Sequence, residues 1–157
     1  MTTEDDVSSL SAIVTNEYVR KYLFDGEILE HIQIEDILNR SLLSFQRNGY
    51  GLWLIHHHAS NYIAGMVGLW TFFDEPQPQL LYALLPECVG KGIASEASLE
   101  ILRYSFRTLR FDYLIASCDT PNEDSHRVAK RIGMVKTKEN ITNGKATTFY
   151  KIERTPS

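Results

Sequence analysis

The sequence predicts a mixed α/β domain built on a twisted sheet, mostly antiparallel with one parallel βαβ step, with helices on both faces. Three observations carry that prediction. Apolar residues recur at helical spacing near the start of the chain and again after Ala94, and aromatic and β-branched runs fill the stretch between. The resulting order α, α, β, β, β, α, β, α, β, β contains a single strand-helix-strand unit, which the crossover rule makes right-handed and parallel.

Each element follows from local chemistry. Residues from about Glu4 to Val19 read as one helix through Val7, Leu10, Ile13 and Val14. A second helix runs from about Ile34 to Arg47 through Ile37, Leu38, Leu42 and Phe45, and Gly49 is its stop. Phe24-Asp25-Gly26-Glu27 supplies turn chemistry between them. Tyr50 to His56 and Tyr62 to Phe72 form a hairpin around the polar His57 to Asn61 turn. Asp74-Glu75-Pro76-Gln77-Pro78 then breaks the chain, Gln79 to Leu85 is a third strand, and Pro86 ends it. A helix from Ala94 to about Leu109 carries Leu99, Leu102, Phe106 and Leu109 on one stripe, with Ser95 and Glu96 suited to its first turn. Phe111 to Cys118 is the near-continuous apolar run of a strand covered on both faces. A short helix from about Asn122 to Ile132 stops at Gly133, and strands at Met134 to Lys138 and Ala146 to Ile152 flank the hairpin signal Asn143-Gly144.

Composition bounds the function. The 157 residues, 43% hydrophobic and 23% charged, make one domain spanning 1–157, with no linker or repeat to divide it. A chain of this size holds a core without disulfides or a structural metal. The net charge of -4 disfavours nucleic acid or an anionic membrane as the main partner. Cys88 and Cys118 form no C-x-x-C pair, and the acidic start MTTEDDVSSL lacks the basic and apolar regions of a signal peptide. A cytoplasmic protein without metal is the expectation.

The most informative segment is Val89-Gly90-Lys91-Gly92-Ile93-Ala94, between a strand and a long helix. Two glycines permit close backbone approach, and free N–H groups at the positive end of a helix favour a phosphate or pyrophosphate, with Lys91 beside it. The spacing is neither a P-loop, since Gly92 follows Lys91, nor G-x-G-x-x-G. A glycine-rich turn with no ligand is the other reading. Asn122-Glu123-Asp124-Ser125 is a second candidate, because Asn122 and Ser125 open a helix at the same sheet end where ligands gather; capping alone also accounts for it. His56-His57-His58 offers at most two ligands on one strand face, too few for zinc, and reads as a solvated hairpin end. Tyr50, Trp53, Trp70, Phe72 and Phe73 read mostly as core, with Trp70 or Phe72 available to an acceptor pocket. Arg103, Arg107 and Arg110 read as a solvated face.

In order and spacing the chain resembles the GNAT-superfamily N-acetyltransferases, and within them the Rim-type branch. The resemblance runs from about Asp5 to the last strand. It rests on Gly49-Tyr50-Gly51-Leu52-Trp53, Gly65-Met66-Val67-Gly68-Leu69, Leu81 to Pro86, Gly90 to Ala97, and Asn122 to Ser125 leading to Lys130-Arg131-Ile132-Gly133-Met134. Gly92 and Ala94 match the last two defined positions of the family's [QR]-x-x-G-x-[GA] loop, while Val89 departs from its first.

The resemblance implies acetyl-CoA as cosubstrate, its pyrophosphate on the backbone of Val89, Gly90, Lys91, Gly92, Ile93 and Ala94, and its pantetheine arm beside the strand ending at Leu84 and Leu85. It implies that this strand splays from its parallel neighbour. Asn122 would bind the arm near the thioester, and Ser125 would protonate the departing thiolate. Arg127, Lys130 and Arg131 stand near enough to meet the 3'-phosphate. A backbone N–H near Leu84 or Leu85 is the candidate oxyanion donor. No base is evident: Glu75, Glu87 and Asp119 are merely carboxylates near strand ends, and a water chain serves equally. An acyl-enzyme on Cys118 lacks a base in the nearby sequence. The acceptor is a small-molecule amine or a protein N-terminus. A non-catalytic CoA-binding sensor or assembly protein is the alternative, and an ATP- or phosphate-binding module a third. Relatives begin with one more strand before the Asp5-Asp6 region, so this sheet is expected to lack its first strand, leaving the Tyr50 to His56 strand with an exposed edge that pairs in a homodimer, or else the true start lies upstream.

Overall fold

The N-terminal helical segment is two helices rather than one, because Asn16 caps the second before the first can continue. A computed structural model describes residues 3–24, 26–58, 62–72, 76–142 and 144–156. After a 3₁₀ turn at Glu4–Asp6, α1 spans Val7–Val14 and α2 spans Glu17–Leu23. Asn16 is extended (φ -61°, ψ 130°), and its side chain accepts from the N–H groups of Tyr18 and Val19 at 3.0 and 3.4 Å. An asparagine that bonds its own backbone in this way starts helices and interrupts them. α3, His31–Asn48, begins three residues before the expected Ile34, since Glu30 and Gln33 form a capping box. It ends, as expected, on left-handed Gly49 (φ 79°).

The first sheet holds β1 (Leu52–His56), β2 (Ile63–Trp70) and β3 (Gln79–Leu84), antiparallel in the order β1-β2-β3. Two glycines of β2 are required by close approach. A Cβ on Gly65 would lie 2.1 Å from the Ala83 carbonyl oxygen, and one on Gly68 2.2 Å from that of Gly51. On one face of this sheet Leu10, Ile13, Val14, Ile34 and Leu38 of α1 and α3 bury Leu52 and Met66. The alternate residues Val67 and Leu69 face the opposite core, with Ile101, Leu102 and Leu114.

Beyond a 3₁₀ turn at Pro86–Cys88, α4 (Ile93–Arg107) leads to β4 (Tyr113–Asp119), α5 (Glu123–Arg131), β5 (Val135–Thr142) and β6 (Lys145–Glu153). β6 lies between β4 and β5, antiparallel to both. The two halves of the sheet meet at β3 and β4, which run side by side in one direction: the Gln77 side-chain amide donates to the Tyr113 carbonyl at 2.6 Å, and the Ser117 hydroxyl donates to Gln79 Oε1 at 2.8 Å. Among the described residues no backbone ladder joins them. The parallel step is therefore a side-chain-bridged seam, and the splay that the resemblance implied is present along it.

β5 extends four residues past the expected Lys138, through a bulge between Lys136 and Lys138. β1 forms a ladder with β2 alone among the described residues. The parts of the expected turns at Asp25, Ala59 to Asn61, Asp74 to Glu75 and Asn143, together with Phe73, lie outside the described residues. No helix is long and apolar enough to cross a membrane among the residues described.

Candidate functional site

The seam opens into a cavity of about 480 Å³. Its first wall is the free edge of β3. Leu85 N–H donates to the Ala64 carbonyl at 2.9 Å, and Leu84 stands opposite Gly65. Antiparallel pairs alternate between bonded and non-bonded. Leu80, Tyr82 and Leu84 consequently turn their N–H and C=O groups away from β2, toward β4. Of the two expected oxyanion donors, Leu84 keeps a free N–H and Leu85 does not.

The second wall is the turn into α4. Gly90 and Gly92 both adopt the left-handed conformation (φ 81° and 78°), which other residues enter only at a cost. The first hydrogen bond of the helix is from Glu96 N–H to the Gly92 carbonyl, 3.0 Å, so the N–H groups of Ile93, Ala94 and Ser95 precede the ladder and are available to an anion. Val89, Gly90, Gly92, Ile93 and Ala94 all line the cavity. The cations lining it are Arg127 and Arg131 of α5 and Lys145 of β6; Lys91, Lys130 and Leu85 stand outside it.

The third wall is the first turn of α5. Asn122 caps the helix, its Oδ1 accepting from Ser125 N–H at 3.4 Å. Its Nδ2 donates to Ser125 Oγ at 3.0 Å. A hydroxyl that accepts there has its own proton left to give elsewhere. The capping geometry thus leaves the Ser125 proton available for chemistry. The Tyr82 hydroxyl crosses the seam to donate to the Ser125 carbonyl at 2.9 Å, and burial holds that phenol well above its ordinary pKa.

Sequence reasoning missed the fourth wall. Tyr18 and Tyr22, one turn apart on α2, line the cavity with Leu23 and Phe72. The Tyr18 hydroxyl donates to Asp124 Oδ2, and Arg127 donates to Asp124 Oδ1 at 2.9 Å. Burial first, and the Asp124 carboxylate second, push Tyr18 up to about 12. The signal that could have found this wall is the Tyr-x-x-x-Tyr spacing directly after the Asn16 cap.

Of the three carboxylates noted near strand ends, Asp119 lines the cavity and pairs with Lys145 at 3.3 Å, Glu87 is exposed outside it, and Glu75 lies outside the described residues. Trp70 instead stacks under Arg40, 5.2 Å away. Cys118 lines the cavity as a thiol, pushed up to about 12 by burial and by the charges of Asp119 and Glu123. His126 is 3.9 Å from it, but both ring nitrogens are engaged, Nε2 with the Thr120 carbonyl at 2.7 Å and Nδ1 with the Tyr150 hydroxyl at 2.6 Å. That histidine is no base for a nucleophilic cysteine.

An open strand edge flanked by a helix start with free N–H groups is an arrangement that could hold an extended, amide-bearing, phosphate-tailed molecule, and solved acetyltransferases share the fold. The spermidine N-acetyltransferase of Vibrio cholerae, in complex with CoA and spermine, superposes with a TM-score of 0.78 at 19% identity, over 97% of this chain and 92% of that one. The ribosomal-protein-S5-alanine acetyltransferase of Vibrio fischeri gives 0.79 at 17% identity, over 98% and 90%. In sequence, 72 residues are 35% identical to the N-acetyltransferase YnaD of Bacillus subtilis, covering 46% of this chain and 42% of that protein's length. Residues 1–135 match the acetyltransferase (GNAT) domain, and the chain belongs to that family.

Proposed function

We propose that the protein, acting as one domain over residues 1–157 in the reducing cytoplasm, transfers an acetyl group from acetyl-CoA directly to a primary amine. The observation that carries the reading is the seam itself: the free Leu84 N–H on one side of it and the Asn122-held Ser125 hydroxyl on the other. Acetyl-CoA, when bound, supplies an activated thioester. The residues present fit it. The outward N–H and C=O groups of Leu80, Tyr82 and Leu84 offer a β-like edge to the pantetheine amides, and the N–H groups of Ile93, Ala94 and Ser95 suit a pyrophosphate, whereas that of Val89 is held by the Pro86 carbonyl at 3.3 Å; Arg131 suits the 3'-phosphate better than Lys130, which lies outside the cavity, or Arg127, which is paired with Asp124.

In transfer, Leu84 N–H stabilises the negative charge that develops on the carbonyl oxygen under attack by the amine. As the carbon–sulfur bond breaks, Ser125 gives its proton to the leaving sulfur and regains one from solvent. Asn122 Nδ2 donates to the serine oxygen and so leaves the serine proton free to be given. Within the family the Rim-type branch is our reading, supported by the likeness to the ribosomal-protein acetyltransferase and by apolar Val89. The acceptor is a small-molecule amine or a protein N-terminus.

Calorimetry with acetyl-CoA at tens of micromolar, followed by thiol release with a panel of polyamines, amino acids, antibiotic amines and peptide N-termini, tests the proposal. Binding with amine-dependent thiol release is expected. No binding sinks the reading, and binding without release from any amine leaves the sensor in its place.

A further inference from the structure

The half of the cavity facing α2 contains groups that acetyl transfer, as described, does not use. Tyr18, Tyr22, Leu23 and Phe72 form an aromatic and apolar wall, and into it α5 projects Asp124, the residue directly before Ser125. Asp124 Oδ2 accepts from the Tyr18 hydroxyl and Oδ1 from Arg127, so each oxygen keeps a lone pair. The Arg127 side chain is 67% exposed, and an ion pair so open to water yields readily to a competing cation. Asp119, the other carboxylate lining the cavity, is 17% exposed and paired with Lys145. Near neutral pH an alkylamine is an ammonium ion, and it must lose a proton before it can attack. A carboxylate and a phenolic oxygen set among aromatic rings are what recognises such an ion.

Resting on the acetyl-transfer reading, we infer that Asp124, oriented by Tyr18, is the group that binds the acceptor as an ammonium and takes its proton. The ammonium donates to the Asp124 carboxylate and to the Tyr18 oxygen. One N–H bond then breaks, its electron pair remaining on nitrogen as the nucleophile while the proton passes to Asp124 and on to water. Tyr18, held well above its ordinary pKa, stays a phenol and keeps donating to Asp124 throughout. The other charged or titratable groups lining the cavity are Tyr22 from α2, Arg127 and Arg131 on the same helix, Tyr82 of β3, Cys118 and Asp119 of β4, and Lys145 of β6. The favoured acceptor is a basic primary amine on an apolar stem.

The experiment compares the full-length wild type with Asp124→Asn and Tyr18→Phe, using a basic alkylamine and the weakly basic trifluoroethylamine, which is uncharged at neutral pH. With the basic amine, Asp124→Asn is expected to lose about 10²-fold in kcat/KM near neutrality. Its profile should then climb about tenfold per pH unit toward the amine pKa, where the wild type stays flat. With trifluoroethylamine the loss should be under about threefold, and the acetyl-CoA Kd should be unchanged in both variants. Equal losses with the two amines, or no loss with either, overturn the inference while leaving acetyl transfer intact. A wild type that binds acetyl-CoA yet acetylates no amine overturns both. Should Asp124→Asn misfold, Tyr18→Phe decides: a KM raised for the basic amine alone is expected, and equal KM changes for both amines refute the assignment.

Discussion

In the proposed mechanism Asn122 and Ser125 serve two ends as one residue pair. The motif was legible because a helix start has a strong sequence signature, and the capping geometry is present. Its chemical use depends on which atom donates: Asn122 Nδ2 points at Ser125 Oγ, and nothing in the residue order alone decides that. Ser125→Ala removes the hydroxyl and keeps the backbone N–H that Asn122 Oδ1 caps, so α5 should stay formed. We expect kcat to fall about 10- to 100-fold, with acetyl-CoA affinity unchanged in calorimetry. An unaltered kcat would eliminate Ser125 as the acid. The choice between Leu84 and Leu85 was equally out of reach of the sequence, because it is a matter of parity set by the bond from Leu85 to Ala64, and a slip of one residue reverses it.

At the level of elements, what was legible had a strong apolar period, as in α3, α4, β2 and β4. What was missed lacked one. The Glu4 to Val19 stripe continues in phase across Asn16, so periodicity alone hides the break between α1 and α2, and with it the Tyr18–Tyr22 wall. The far half of β5 reads Lys-Glu-Asn, with Val135 and Ile141 both exposed, and is a strand through its backbone pairing with β6 rather than through burial. The expected exposed edge on β1 can be specified more closely. Leu69 N–H bonds the Gly51 carbonyl, so Leu52 and Leu54 face outward. Ser41 Oγ caps Leu52 N–H at 2.9 Å, which leaves Leu54 as the open position, beside an apolar groove between Phe45, Trp53, Ile55 and Tyr104. If β1 pairs with β1 of a second copy, sedimentation velocity at micromolar concentration should give a dimer, and Leu54→Pro, which removes the outward N–H along with some side-chain packing on the α1–α3 core, should give a monomer whose circular dichroism remains that of the folded protein. A wild type that stays monomeric at every concentration refutes the pairing.

For the whole molecule, a net charge of -4 is compatible with the proposed anion site, because that site would be built from backbone N–H groups and a few side-chain cations rather than from a basic surface. Burial in the cavity and in the core leaves several groups that resist ionisation. Tyr18 and Cys118 are each pushed up to about 12, burial being the largest cause for both, and Tyr50, Tyr82 and Tyr150 are raised as well. In the unfolded chain the thiol ionises near its ordinary 9.0 and the phenols near 10.0. Above those values the unfolded state has released protons that the native state still holds, so stability falls as pH rises. The stabilisation is complete below about pH 9 and is lost as pH climbs through about 12. Urea midpoints should therefore hold level on the neutral side of that window and decline steadily within it, while the tyrosinate absorbance of the native protein lags behind that of the chain in urea. A midpoint that stays level up to about pH 11 would mean that these groups reach water in the native state, and their burial as described would have to be abandoned.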